Sequence, residues 1–201
     1  MAQATADEST ARTGAIPPPQ GEGRRSRGIL RMLFALEFLS IGNYLKSYVL
    51  VGGINMAANM ESVAKYLCNR LDWKVSNLKL QKLMYLSQLI YSGRTRRPLF
   101  DAKFQAWDFG PVLPDLYQKL KVFGATSVQD VFSKALDFSS DDPRRLVMDQ
   151  VVDRFGKFSA GDLVEITHWD GGAWAKNYVP KARHIEISYS DILDEYKARN
   201  P

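Results

Sequence analysis

The sequence predicts a mainly α protein: a compact bundle of about six helices with one or two short β segments, preceded by a disordered N-terminal extension. Three observations point there. Apolar residues recur at helical spacing from residue 60 to the C-terminus, cap residues and Gly or Pro punctuate those runs, and alternating extended patterns are confined to short stretches. Length and composition fit one domain with an appendage: 201 residues, 45% hydrophobic and 24% charged, are too few for two independent cores. The division expected is 1–55 as extension and 56–201 as folded domain.

The opening stretch MAQATADESTARTGAIPPPQGEGRRSRG is small, polar and rich in Pro and Gly, so it cannot bury enough apolar surface to offset the entropy of ordering. The following ILRMLFALEFLSIGNYLKSYVLVGGI is apolar, yet Arg31, Glu37 and Lys46 interrupt it, and no uncharged run reaches the ~20 residues a bilayer requires. Its flanks also lack the compact apolar core and small-residue cleavage site of a secretory signal. Met56 and Met60 stand just before the first amphipathic pattern, which makes residues 1–55 an extension that the folded domain does not need.

The first helix is expected where Val63, Leu67 and Leu71 share a face. After a turn at DWKVSN, Ser76 or Asn77 caps a second helix with Leu80, Leu83, Tyr85, Leu86 and Leu89 inward, closed at Gly93 in the left-handed conformation. More than half its circumference is apolar, which places it centrally. PLFDAKFQAWDF reads as one or two extended segments. Pro114 then fits a helical first turn, with Leu116, Tyr117, Leu120 and Phe123 on one face and Gly124 ending it. Asp142 and Pro143 open a helix carrying Val147, Val151 and Phe155. Ser159 and Asp162 form a near capping box, GGAWAKNY adds a turn or two of helix, HIEIS is a candidate strand, and Ser188 or Ser190 caps the last helix.

The chemistry-bearing residues are sparse. One cysteine, Cys68, excludes an internal disulfide framework, suits a reducing cytoplasm, and reads as a buried inert thiol. Two histidines, His168 and His184, lie sixteen apart with no metal-ligand pattern, and no phosphate-binding glycine loop or nucleophile elbow is present, so no metal, cofactor or catalytic residue is assigned. His168 reads as a histidine at a helix C-terminus, bonding to free carbonyls. The net charge of +5 is spread evenly, with 21 Lys/Arg against 18 Asp/Glu in 57–201, so nucleic acid is not the expected partner. Basic clusters at Arg24, Arg25, Arg27 and Arg31 and at Arg94, Arg96 and Arg97 read as solvated charge, with contact to a phosphate or an acidic partner as the alternative.

Three stretches, LKLQKLMYLSQ (78–88), FQAWDFGPVLPDLYQKL (104–120) and THWDGGAWAKNY (167–178), carry a family resemblance. Their order and spacing resemble the Panacea-domain antitoxins of bacteria and phages, including the SocA-like and GepA-like proteins. The matching positions are Leu80, Lys82, Leu83 and Tyr85; Ala106, Trp107, Gly110, Pro111, Val112, Pro114, Leu116 and Tyr117; and Thr167, His168 and Trp174. The resemblance covers about 60–197, and HWDGGAW departs from it with a glycine-rich step where the family has a polar or acidic spacer.

The resemblance implies a non-enzymatic cytoplasmic antitoxin that binds a cognate toxin directly and, in the SocA-like branch, hands it to the ClpXP protease as an adaptor. The alternatives are an interaction protein of another role from a phage or prophage, and an enzyme built on Lys82, Tyr85, Asp108 and His168. Within the central motif, Gly110 permits a backbone closed to other residues, Pro111 and Pro114 fix the entry to a helix, and Trp107 and Tyr117 lock over the central helix. Either these residues hold the fold, or their aromatic edges face the toxin.

Overall fold

The computed structural model describes residues 56–133, 135–182 and 184–200. The extension expected at 1–55, its apolar segment and the Arg24–Arg31 cluster lie outside the described residues. Among those described, seven α-helices and one two-stranded sheet follow in the order α1 (Met60–Arg70), α2 (Asn77–Thr95), β1 (Gln105–Trp107), β2 (Gly110–Val112), α3 (Pro114–Leu120), α4 (Arg144–Phe155), α5 (Ala160–Thr167), α6 (Ala173–Asn177) and α7 (Tyr189–Arg199). The fold is mainly α, as the periodicity predicts. None of the described helices is long and apolar enough to cross a membrane.

Helix α2 is the axis. Ser76 caps it, with its hydroxyl accepting from the Lys79 amide. Every α2 residue except Leu78 and Lys79 is buried, because α1, α3, α4, α5, α7 and β2 all pack on it. The amphipathic face read from Leu80 to Leu89 is thus only part of its contact surface. Burial all round leaves no solvent for its polar side chains, which must find protein partners.

Its two inner glutamines find loop backbone. Gln88 Oε1 accepts from the amides of Leu99 and Phe100 at 3.0 and 3.3 Å, and Gln81 Oε1 accepts from Leu113 at 2.8 Å. Gln81 and Gln88 stand seven residues apart, two turns on the same face, and tie the two ends of the 96–113 segment to the central helix.

The antiparallel pair β1–β2 has Gln105 opposite Val112, Ala106 opposite Pro111 and Trp107 opposite Gly110. HIEIS does not form a regular strand. It makes a single bridge of Glu186 to Gln105, with the Ala106 amide donating to Ile185 and the Ile187 amide donating to Phe104. The chain leaves this register at Ser188, whose hydroxyl caps α7.

Several local readings change. Gly93 does not end α2: the left-handed cap is Arg96, φ 59°, and Gly93 lies inside the helix with the Tyr196 ring against it. A Cβ there would come within 2.0 Å of the ring, so the glycine serves close packing of α7. Helix α4 starts one residue later than the Asp142–Pro143 reading implies, although Asp142 Oδ1 does accept from the Arg144 amide. The face from Leu116 to Phe123 is carried by α3 plus a 3₁₀ turn at Lys121–Phe123, ended by Gly124 at φ 55°. Ser159 and Asp162 complete their capping box.

Arg94 is buried, so Arg94, Arg96 and Arg97 do not form one surface patch. Cys68 is buried, and desolvation, assisted by the charge of Asp130, pushes its thiol up to about 12. Replacing Gly93 by Ala should destabilise the protein by about 1–3 kcal/mol through overpacking. Gly161→Ala, whose Cβ would meet nothing closer than 3.7 Å, should be near neutral, both variants being compared with the wild type by urea titration.

Candidate functional site

The three motif stretches converge beside the middle of α2. Lys82 is fully buried, and its Nζ donates to the Pro111 carbonyl at 2.9 Å. That carbonyl is available because the hairpin turns at Asp108–Phe109 and re-enters through Gly110 at φ +95°, a region that disfavours every residue with a Cβ. Space imposes the same choice, since a Cβ on Gly110 would lie 2.9 Å from Lys82 Nζ and 3.0 Å from Thr167 Oγ1.

Past the hairpin, Pro114 occupies the first turn of α3, where its missing N–H costs no bond. The Trp107 and Tyr117 rings meet edge to face at 4.9 Å.

The C-terminal end of α5 and the short α6 close the site. The Thr167 hydroxyl, turned back on its own helix, donates to the Leu163 carbonyl at 3.0 Å. The His168 ring does not bond to free carbonyls as the sequence suggests; its backbone amide does, to Val164 and Glu165. The ring stacks on Trp174 at 3.6 Å, nearly parallel, and Trp174 stacks on Tyr178 at 4.6 Å. Trp174 Nε1 donates to the Trp107 carbonyl at 2.8 Å, and the Tyr178 hydroxyl donates to Asp108 at 2.9 Å. Thus the late motif holds the hairpin from one side while Lys82 holds it from the other.

Tyr85 and Leu80 are fully buried. The Tyr85 ring packs edge-on against Phe104, and its hydroxyl donates to Glu195 Oε2 at 2.5 Å. The same oxygen accepts from the Ala173 amide at 2.8 Å, satisfying the start of α6. Arg199 neutralises Glu195 through Oε1 at 2.7 Å, donates to the Ile166 carbonyl and lies over the Trp169 ring at 4.6 Å.

The glycine-rich step of HWDGGAW belongs to this arrangement. A Cβ on Gly171 would meet the Trp169 indole at 2.8 Å, and one on Gly172 would come within 3.2 Å of the Glu195 carboxylate. Sequence reasoning passed over Glu195, Arg199, Gln81 and Gln88. Their signals were present: an i, i+4 Glu→Arg pair in the last helix, and two glutamines two turns apart in an apolar one.

Electrostatically the site holds two buried cations: Arg199, paired with Glu195, and Lys82, bonded to a carbonyl. Desolvation lowers the Lys82 ammonium to about 7. Desolvation, and secondarily the charge of Lys82, lowers His168 to about 4. Burial raises the Tyr85 hydroxyl well above its ordinary value, and Glu195 adds to that. Lys82 and Tyr85, the acid–base groups, therefore sit beneath the surface against protein acceptors, an arrangement suited to holding backbone in place. No group of three or more metal-ligating side chains occurs among the described residues.

The shifts give signed expectations. An unfolded lysine binds its proton more strongly than buried Lys82 does, so this position penalises folding below pH 7 and the penalty fades as pH rises. Relative to Lys82→Met, the wild type should gain roughly 1–2 kcal/mol of stability between about pH 6.5 and 8.5. A pH-independent difference would contradict the buried ammonium. For His168 the unfolded ring protonates first, so its contribution is intact above about pH 6.5 and lost toward pH 4. His168→Phe, which keeps a stackable ring, should flatten that acid limb in thermal melts.

The family model for the antitoxin SocA-like Panacea domain matches residues 80–175, a span that runs from Leu80 and Lys82 through the hairpin to His168 and Trp174. The antitoxin SocA of Caulobacter vibrioides (strain NA1000 / CB15N) is 31% identical over 131 residues, covering 59% of this chain and 69% of that protein. No solved structure matches. With the motif residues of all three stretches meeting around Lys82 and the likeness extending over more than two thirds of SocA, the chain belongs to the SocA-like, Panacea-domain antitoxin family.

Proposed function

We propose that this protein neutralises a cognate toxin by direct protein–protein contact in the cytoplasm, and that it acts as an adaptor delivering the toxin to the ClpXP protease. Membership of the antitoxin family is the observation that carries the first part. The site geometry supports a binding role over a catalytic one. Lys82 and Tyr85 are 0% exposed and engaged with Pro111 and Glu195, where no substrate reaches them.

On this reading the motif residues Leu80, Lys82, Tyr85, Gly110, Pro111, Pro114, His168 and Trp174 maintain the platform. Trp107 and Tyr117 belong to it and also reach its rim, both being half-buried. The folded unit begins at residue 56, and 1–55 is an appendage to it.

The adaptor reading rests on the likeness to SocA and has its own signature. An adaptor shortens the half-life of its target, whereas an occluding inhibitor leaves it unchanged or longer.

Co-expression with the product of the adjacent gene tests the proposal. Growth arrest by that product alone and rescue by this protein are expected; a non-toxic product from both neighbouring genes would contradict it. Deleting this protein should lengthen the half-life of the toxin in cells with ClpXP and leave it unchanged in cells without the protease. An unchanged half-life in both would leave occlusion as the mechanism.

A further inference from the structure

The β1–β2 hairpin has three residues in each strand, and a two-stranded ribbon of that size is marginal on its own. Its tethers decide where it sits. At its ends, the Ile187 amide donates to the Phe104 carbonyl and the Leu113 amide donates to Gln81 Oε1, bonds with no titratable member. Between the ends, Lys82 Nζ holds the Pro111 carbonyl and Trp174 Nε1 holds the Trp107 carbonyl. The hairpin is therefore fixed at both hinges by neutral groups and in its middle by an amine.

The surroundings of that amine do not suit a cation. Lys82 is 0% exposed, and a protonated Nζ carries three N–H groups where the described residues offer one acceptor, the Pro111 carbonyl. The other polar groups nearby are committed elsewhere. On α2 the Tyr85 hydroxyl donates to Glu195, and on α7 the Glu195 carboxylate serves Tyr85, the Ala173 amide and Arg199. On α5 the Thr167 hydroxyl donates to its own helix, and the following His168 has its Nε2 buried with no hydrogen-bond partner among the described residues. Asp108 of the hairpin is exposed and bonded to Tyr178, and Tyr117 of α3 packs on Trp107. No charge from these groups, or from α1 and α4, offsets the burial of Lys82, whose shift comes from desolvation alone. A buried ammonium without a counter-charge favours its neutral form, or a conformation that returns it to water.

We propose that the hairpin is an acid-released element: proton uptake at Lys82 frees residues 105–112 from α2, while Phe104, Leu113 and the helices stay in place. The sign follows from linkage. A hydrated lysine in the open form has its ordinary value of ~10.4, whereas the closed form holds Lys82 at about 7. Opening therefore becomes more favourable as pH falls between those values and levels off below the lower one. His168, held at about 4, adds a like charge only in stronger acid. The device works whatever partner the protein binds.

Hydrogen exchange of the full chain, followed by NMR and corrected for the intrinsic rate at each pH, tests this. The reporters are the Ala106 amide, bonded to the Ile185 carbonyl, and the Trp174 indole N–H. Their opening constant should rise about tenfold or more from about pH 8.5 to about pH 6.5, and dilute urea should leave it unchanged, the mark of a local opening. Amides of Leu113 and α4 should exchange more slowly and with urea dependence. Lys82→Gln, which keeps an N–H donor but cannot take up a proton, should abolish the rise, as should Lys82→Met, whereas His168→Phe should retain it. Circular dichroism establishes that each variant folds, and the wild-type pH and urea profiles decide the matter should neither Lys82 variant do so. A flat wild-type profile, a rise that survives in a folded Lys82 variant or is lost in His168→Phe, or exchange of both reporters in step with α4 throughout the urea series would overturn the proposal.

Discussion

Helix α2 has no solvent-facing side, and the structure follows from that constraint. A helix surrounded by protein gains from its apolar residues but must satisfy each polar one internally, at a cost of about 1–3 kcal/mol for any left unpaired. Gln81, Lys82, Tyr85 and Gln88 meet the requirement by bonding to groups outside regular structure or on other elements: the Leu113 amide, the Pro111 carbonyl, the Glu195 carboxylate and the amides of Leu99 and Phe100. Those loop groups equally need partners, so helix and loops specify each other. Lys82 is the most demanding member. It is a buried cation, and Gly110 is the only residue type whose backbone and bulk let the hairpin approach it.

This reciprocity explains which parts were legible in the sequence. Helix positions followed from periodicity and caps: Ser76, Ser159 and Ser188 all accept the expected amides, and Pro114 stands where a missing donor is harmless. The candidate-site residues were visible as a motif, and Trp107 does meet Tyr117. What they bond to was not visible. Arg96 takes the capping role expected of Gly93 because a tertiary contact, the Tyr196 ring, claims the glycine, and no local pattern encodes a ring arriving from a hundred residues away. Glu195 was missed for the same reason. Its i, i+4 partner Arg199 looks like ordinary surface pairing until both are found buried beneath α6.

The hairpin is held from within the domain by Lys82 on the Pro111 carbonyl and by Trp174 on the Trp107 carbonyl. The interior residues are committed to geometry, whereas Phe109 at the hairpin tip and Val179 after α6 are exposed and lie outside the core.

The most direct test of this account is hydrogen–deuterium exchange on Lys82→Met at neutral pH. The account predicts protection lost around 105–117 and 167–178, the stretches that meet at the lock, with α1 and α4 exchanging as in the wild type. Uniform loss throughout the chain, or unchanged protection in the hairpin, would contradict the claim that Lys82 organises this site.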